Sequence, residues 1–119
     1  MAHAGAEPVS EGRTLIAADR DALLQAAPVS SDRFQIKRIF QGEGARVIRL
    51  SFAAGQVMRE HSTNAPLIVQ VLDGEVQFRV SGEEIAMPAG AMLHVKPSVA
   101  HEVEAVTDAH VLLTLCFPE

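Results

Sequence analysis

From Arg33 to the C-terminus, glycine, proline, aspartate and serine cut the chain into short runs rich in Val, Ile, Leu and Phe. Such runs cannot build a helical core. A helix needs about ten or more residues at a 3.6-residue period to bury one face, whereas a strand buries one by simple alternation over about five. The runs are Phe34 to Phe40, Ala45 to Phe52, Leu67 to Leu72, Glu75 to Val80, Glu84 to Met87, Ala91 to Val95, His101 to Val106 and Ala109 to Phe117. They point to about eight or nine strands, the number that sandwiches and jelly rolls use.

Within this pattern Ile48, Leu50 and Phe52 share one strand face, and Leu67 to Leu72 is continuously apolar. Asp73-Gly74 is the strongest hairpin signal. The strand after it alternates, with Val76, Phe78 and Val80 on one face and Glu75, Gln77 and Arg79 on the other, as a half-solvated antiparallel strand does. Before Arg33 the small, polar residues through Gly12 read as a mobile arm. Asp19 is placed to cap a short helix over Arg20 to Ala27, with Leu23 and Leu24 on one side and Pro28 ending it. Residues 1–32 are thus read as an arm with at most one short helix, and residues 33–119 as one all-β, antiparallel jelly-roll barrel.

Composition limits the partners. With 119 residues, 48% hydrophobic and 21% charged, the chain suits one domain with a proper core. A net charge of -5 without clustered Lys or Arg argues against nucleic acid and anionic membranes. The start has neither a basic segment nor an apolar core of signal type, so a cytoplasmic location is expected. Ala109 to Phe117, the most apolar stretch, is too short to cross a bilayer. Cys116, the single cysteine, lies inside it and reads as a small hydrophobe. No nucleophile elbow, phosphate-binding glycine loop or Cys-x-x-Cys is present, and there is no Trp or Tyr for an aromatic platform.

Two spacings carry a resemblance. Gly55 is followed by five residues and His61, and Gly74 falls where a matching glycine would close the motif; Gly90 and His101 open and carry a second motif. In this layout the chain resembles the cupin superfamily of small jelly-roll barrels over about residues 33 to 117. The resemblance implies a metal site built from two motif-one histidines, a glutamate and the motif-two histidine, all directed inward. His61 and His101 stand at two of these positions. Thr63 replaces the second histidine and Leu67 the glutamate, while in the second motif Lys96, Ser98 and Ala105 replace the proline, glycine and asparagine, with Pro97 beside them. Two imidazoles without a carboxylate leave an ion's charge uncompensated, so at most a weakly held divalent transition metal is expected at His61 and His101.

Strand parity sorts the other candidates. His94 opposes Ala91, Leu93 and Val95 and should face outward, and Glu60 should face away from His61 unless a bulge intervenes. His110 reads as a surface or interface side chain, and Glu102 and Glu104 as a solvated face. The first functional expectation is a module that binds a small organic ligand, its cavity lined by Leu67, Val69, Val71, Leu93 and Val95, with His61, Thr63 and His101 as the polar end. The alternative is a metal-dependent dioxygenase or related oxidoreductase in which His61 and His101 hold Fe, Ni, Cu or Mn. A third is a structural or regulatory dimer without ligand. A homodimer is expected in each case, because the outward Ile68 and Leu72 require cover.

Overall fold

The computed structural model describes residues 12–117. The expected arm lies, apart from Gly12, outside them. One helix, α1 (Arg20–Gln25), precedes nine strands: β1 (Gln35–Gly42), β2 (Ala45–Phe52), β3 (Val57–His61), β4 (Leu67–Asp73), β5 (Glu75–Val80), β6 (Glu83–Pro88), β7 (Met92–Val95), β8 (His101–Ala105) and β9 (Ala109–Cys116). The helix starts as expected, with Asp19 Oδ1 accepting from Ala22 N at 2.8 Å. The strands correspond to the eight apolar runs plus β3, where Arg59 and Glu60 hide the alternation.

The strands form two antiparallel sheets, one in the order β1-β2-β9-β4-β7 and the other β3-β8-β5-β6. The connections β2 to β3, β4 to β5, β6 to β7 and β8 to β9 each step from one sheet to the other. The two orders therefore run in step, with β2 set over β3, β9 over β8, β4 over β5 and β7 over β6. This is a jelly roll. Between the sheets lie Leu50, Phe52, Leu67, Val69, Val71, Val76, Phe78, Val103 and Val111, each no more than 2% exposed. Ile48, Leu50 and Phe52 do share the inner face, opposite Leu113, Val111 and Ala109 of β9.

The outer face of β2 is also buried, which the sequence pattern does not announce. Arg49 is 0% exposed. Its Nε donates to Leu23 O and its Nη1 to Leu50 O and Val111 O, all at 2.6 Å. Nη2 lies 2.6 Å from His110 Nδ1. Ser51 Oγ donates to Pro28 O at 3.0 Å and Gln56 Nε2 to Ser30 O at 2.9 Å. These bonds fasten residues 23–30 over β2. His110 is correspondingly half-buried beside Arg49 rather than on an open surface. Burial lowers the Arg49 pKa to about 10, which leaves the side chain charged at neutral pH. Its charge is met by carbonyl dipoles, with no carboxylate among its hydrogen-bond partners.

Because a guanidinium only donates, His110 Nδ1 must accept, and the ring is neutral with its proton on Nε2. Burial first, then the Arg49 charge, hold the His110 pKa below its ordinary value; Arg20 adds to this, while Asp73 and Asp108 oppose it. A folded-state pKa below the unfolded one means that the stabilisation is complete above the ordinary histidine range and lost as pH falls through it. Urea midpoints should therefore drop between about pH 7 and pH 5. The drop should be smaller in His110→Asn, whose amide oxygen accepts from Arg49 without titrating; an identical pH slope in both proteins would contradict this assignment.

The β4–β5 turn depends on a missing side chain. Gly74 has φ +79°, and a Cβ there would collide with Asp108 O and lie 2.8 Å from Ala109 Cα. Gly55 has φ +88° but no neighbour within 4 Å of that position. Gly55→Ala should cost about 1 kcal/mol and Gly74→Ala about 2–4 kcal/mol by equilibrium denaturation. Equal losses would show that backbone torsion alone, and not the close approach to the β8–β9 turn, sets the requirement.

Candidate functional site: two facing imidazoles at one end of the jelly roll

His61 comes to lie beside His101 through an irregularity. Met58 pairs with Val103 and His61 with His101, so Arg59 and Glu60 together oppose Glu102. Met58 is 8% exposed and faces the core. Strict alternation from Met58 would return Glu60 to the interior and turn His61 out. The extra residue reverses this, as a bulge does, and sets His61 beside His101 on the inner face.

The rings meet edge to face, with centroids 4.5 Å apart and planes at 63°. Phe78 stacks on His101 at 5.5 Å and 15°. His101 is 1% exposed, while His61 stands exposed at the rim. Each imidazole has its Nδ1 against the carbonyl two residues earlier, His101 to Val99 O at 3.0 Å and His61 to Arg59 O at 3.1 Å. A carbonyl only accepts, so each Nδ1 carries a proton, and in the neutral ring Nε2 is then the acceptor. His101 Nε2 is buried without a hydrogen-bond partner. Burial lowers the His101 pKa; the Val99 carbonyl opposes this and His61 reinforces it, so the ring is neutral at neutral pH.

The other expected residues divide. Leu67, Val69, Val71 and Val95 are buried in the core cluster, and Leu93 packs against it, half-buried. Thr63 Oγ1 donates to Ala65 O at 2.9 Å, and Thr63 O accepts from Ser98 N at 2.7 Å. Thr63 thus ties the β3–β4 and β7–β8 loops together, and its hydroxyl proton is not offered to the histidines. His94 is exposed on the outer face, as parity requires. Glu60, Glu84 and Glu102 surround Arg79 in an open outer depression of about 260 Å³. Glu102 and Glu104 are not merely solvated there, since Arg79 donates to them at 2.9 and 2.6 Å.

One inner-face residue escaped the sequence reading. Arg46 pairs with Leu115, Leu115 with Leu67, and Leu67 with Val95, forming the terminal inner row of the larger sheet. The chain passes from His61 to Leu67 across that same end. The Arg46 guanidinium lies over the Phe117 ring at 5.1 Å, and its Nε is buried without a hydrogen-bond partner. The signal was its parity with Ile48, Leu50 and Phe52, overlooked because a charged residue was not expected on that face.

A resident divalent metal does not fit these donors. Among the described residues no group of three or more His, Cys, Asp or Glu could hold an ion. His61 and His101 supply two neutral nitrogens, and the position implied for the carboxylate is the buried side chain of Leu67. Thr63→His with Leu67→Glu should raise Ni(II) or Mn(II) affinity at least about a hundredfold by calorimetry, while lowering apo-protein stability because the new carboxylate is buried without its ion. Unchanged weak binding would show that neither position faces the imidazoles.

The cupin-domain family model matches residues 48–117, more than half of the chain. The chain is also similar to a solved RmlC-like cupin protein from Desulfovibrio desulfuricans, at 35% identity over 78% of this chain and 91% of that one, with a TM-score of 0.72. A conserved protein of unknown function from Streptococcus pyogenes superposes with a TM-score of 0.76 at 19% identity, over 100% and 99% of the two chains. A cupin superfamily protein from Desulfitobacterium hafniense gives 0.75 at 14% identity, over 95% and 98%. These last two likenesses show the fold alone. No curated protein matches the chain. With the family model, the strand order and the positions of His61 and His101 in agreement, the chain belongs to the cupin family.

Proposed function

We propose that this cupin binds a small organic molecule between its sheets, with His61 and His101 as a metal-free polar end. The observation that carries this reading is His101 Nε2, a hydrogen-bond acceptor on a side chain 1% exposed and without a protein partner. A buried polar atom left unpaired costs about 1–3 kcal/mol, so its retention supports a partner that arrives from outside. Phe78 and Leu67 supply the apolar surroundings that such sites pair with a few polar groups.

The dioxygenase alternative needs a third protein ligand, which the described residues do not offer. A homodimer remains part of the proposal, supported by Met92, 61% exposed at the β7 edge and paired with Gln70, on the same outer face as the half-buried Ile68. No helix among the described residues is long and apolar enough to cross a membrane.

Replacing both His61 and His101 by Gln should preserve the fold and retain much of the affinity for a bound organic molecule, since an amide still accepts a hydrogen bond. Mass spectrometry of small molecules carried by protein purified without an affinity tag, alongside elemental analysis, makes the comparison. Near-stoichiometric Fe, Ni, Cu or Mn in the wild type, lost in the double variant, would replace this reading with the metal-dependent one.

A further inference from the structure

Among the described residues, two buried side-chain nitrogen or oxygen atoms lack a hydrogen-bond partner, and they have opposite character. His101 Nε2 accepts; Arg46 Nε donates and belongs to a cation. Both lie on inner rows at the same end of the jelly roll. Arg46 is on β2, which is set over β3, so it stands across the sandwich from His61. The sheets of such a sandwich are about 10 Å apart, so a molecule of a few heavy atoms seated at this end would be long enough to reach a group on each. Among the described residues Arg46 makes no ion pair or hydrogen bond; its guanidinium carbon lies 5.1 Å from the centre of the Phe117 ring, and its buried Nε is left to receive an acceptor.

We propose that the ligand is a small hydroxycarboxylate, its carboxylate received by Arg46 and its hydroxyl donating to His101 Nε2, with His61 at the rim. This rests on the binding reading given above and adds the chemical class. Carboxylate geometry matches the guanidinium fork. A carboxylate cannot itself satisfy His101, because the neutral Nδ1–H tautomer, fixed by Val99 O, presents only an acceptor. The second group of the ligand must therefore be a donor. With a net charge of -5, the protein offers little general attraction to anions, so preference for an acid must come from a local cation.

Tag-free wild-type protein is titrated by calorimetry with hydroxybutanoates bearing the hydroxyl at successive carbons, with butanoate, and with the matching hydroxybutanamides. At least one hydroxybutanoate should bind about tenfold more tightly than both butanoate and its own amide, one interaction being removed in each comparison. Arg46→Gln should bring the acid down to the affinity of the amide and leave the amide unchanged. Arg46→Lys, which keeps the charge and guards against a folding defect, should retain part of the preference. Equal binding of acid and amide by the wild type, or an undiminished preference in Arg46→Gln, overturns the anion assignment while the binding reading stands. Failure of every member to bind overturns the assignment outright, whereas stoichiometric metal in the tag-free protein is the separate result that removes the binding reading.

Discussion

The period of a β-strand allows only one of two neighbouring residues to face the core, and the site depends on how β3 departs from that constraint. Met58 must be inside, since it packs with the buried core. Counting by twos from it, Glu60 would follow inward and His61 would point to solvent. Opposing Glu102 with both Arg59 and Glu60 shifts the phase by one residue. The same shift sends Glu60 outward to the acidic depression around Arg79 and leaves His61 against His101. One added residue thus separates a buried carboxylate from a pair of imidazoles.

The rest of the fold holds that pair in place. His101 is pinned by the stacked Phe78, by Val99 O and by its central position in the smaller sheet, between β3 and β5. On the far side of the molecule, Arg49 binds carbonyls of residues 23–27 and of β2 and β9, so that this segment covers the outer face of β2. Burying a cation without a carboxylate is tolerated because its donors meet aligned carbonyls and one imidazole at short range. β2, paired with β9 along its length, also carries Arg46 on its opposite face.

The sequence was informative where period and turn chemistry coincide. Asp73-Gly74, the alternation of Val76, Phe78 and Val80, the cap at Asp19 and the glycine-to-histidine spacings all have local causes, and the structure follows them. It was less informative where tertiary contacts decide. The β3 bulge depends on pairing with a strand some forty residues later. Arg49 and Ser51 are buried by a segment whose apolar side, Leu23 and Leu24, does not tell which strand it docks on. His110 looked superficial because its partner lies on β2. Thr63 occupied a family ligand position, yet its hydroxyl serves a loop. Arg46 lay in plain view at an inward position, and only the burial of its Nε gives that position a chemical meaning.

On the proposed reading, His101 presents a metal-free, unprotonated Nε2 to the interior, with His61 beside it at the rim. Long-range nitrogen–proton NMR of the histidine side chains, in protein purified without a tag at neutral pH, measures this directly. The His101 ring should show a protonated Nδ1 and an Nε2 with a free lone pair, and that Nε2 signal should persist as the pH is lowered through the ordinary histidine range. Protonation on His101 Nε2 at neutral pH, or histidine Nε2 signals displaced by a bound ion and restored by a chelator, would contradict this arrangement.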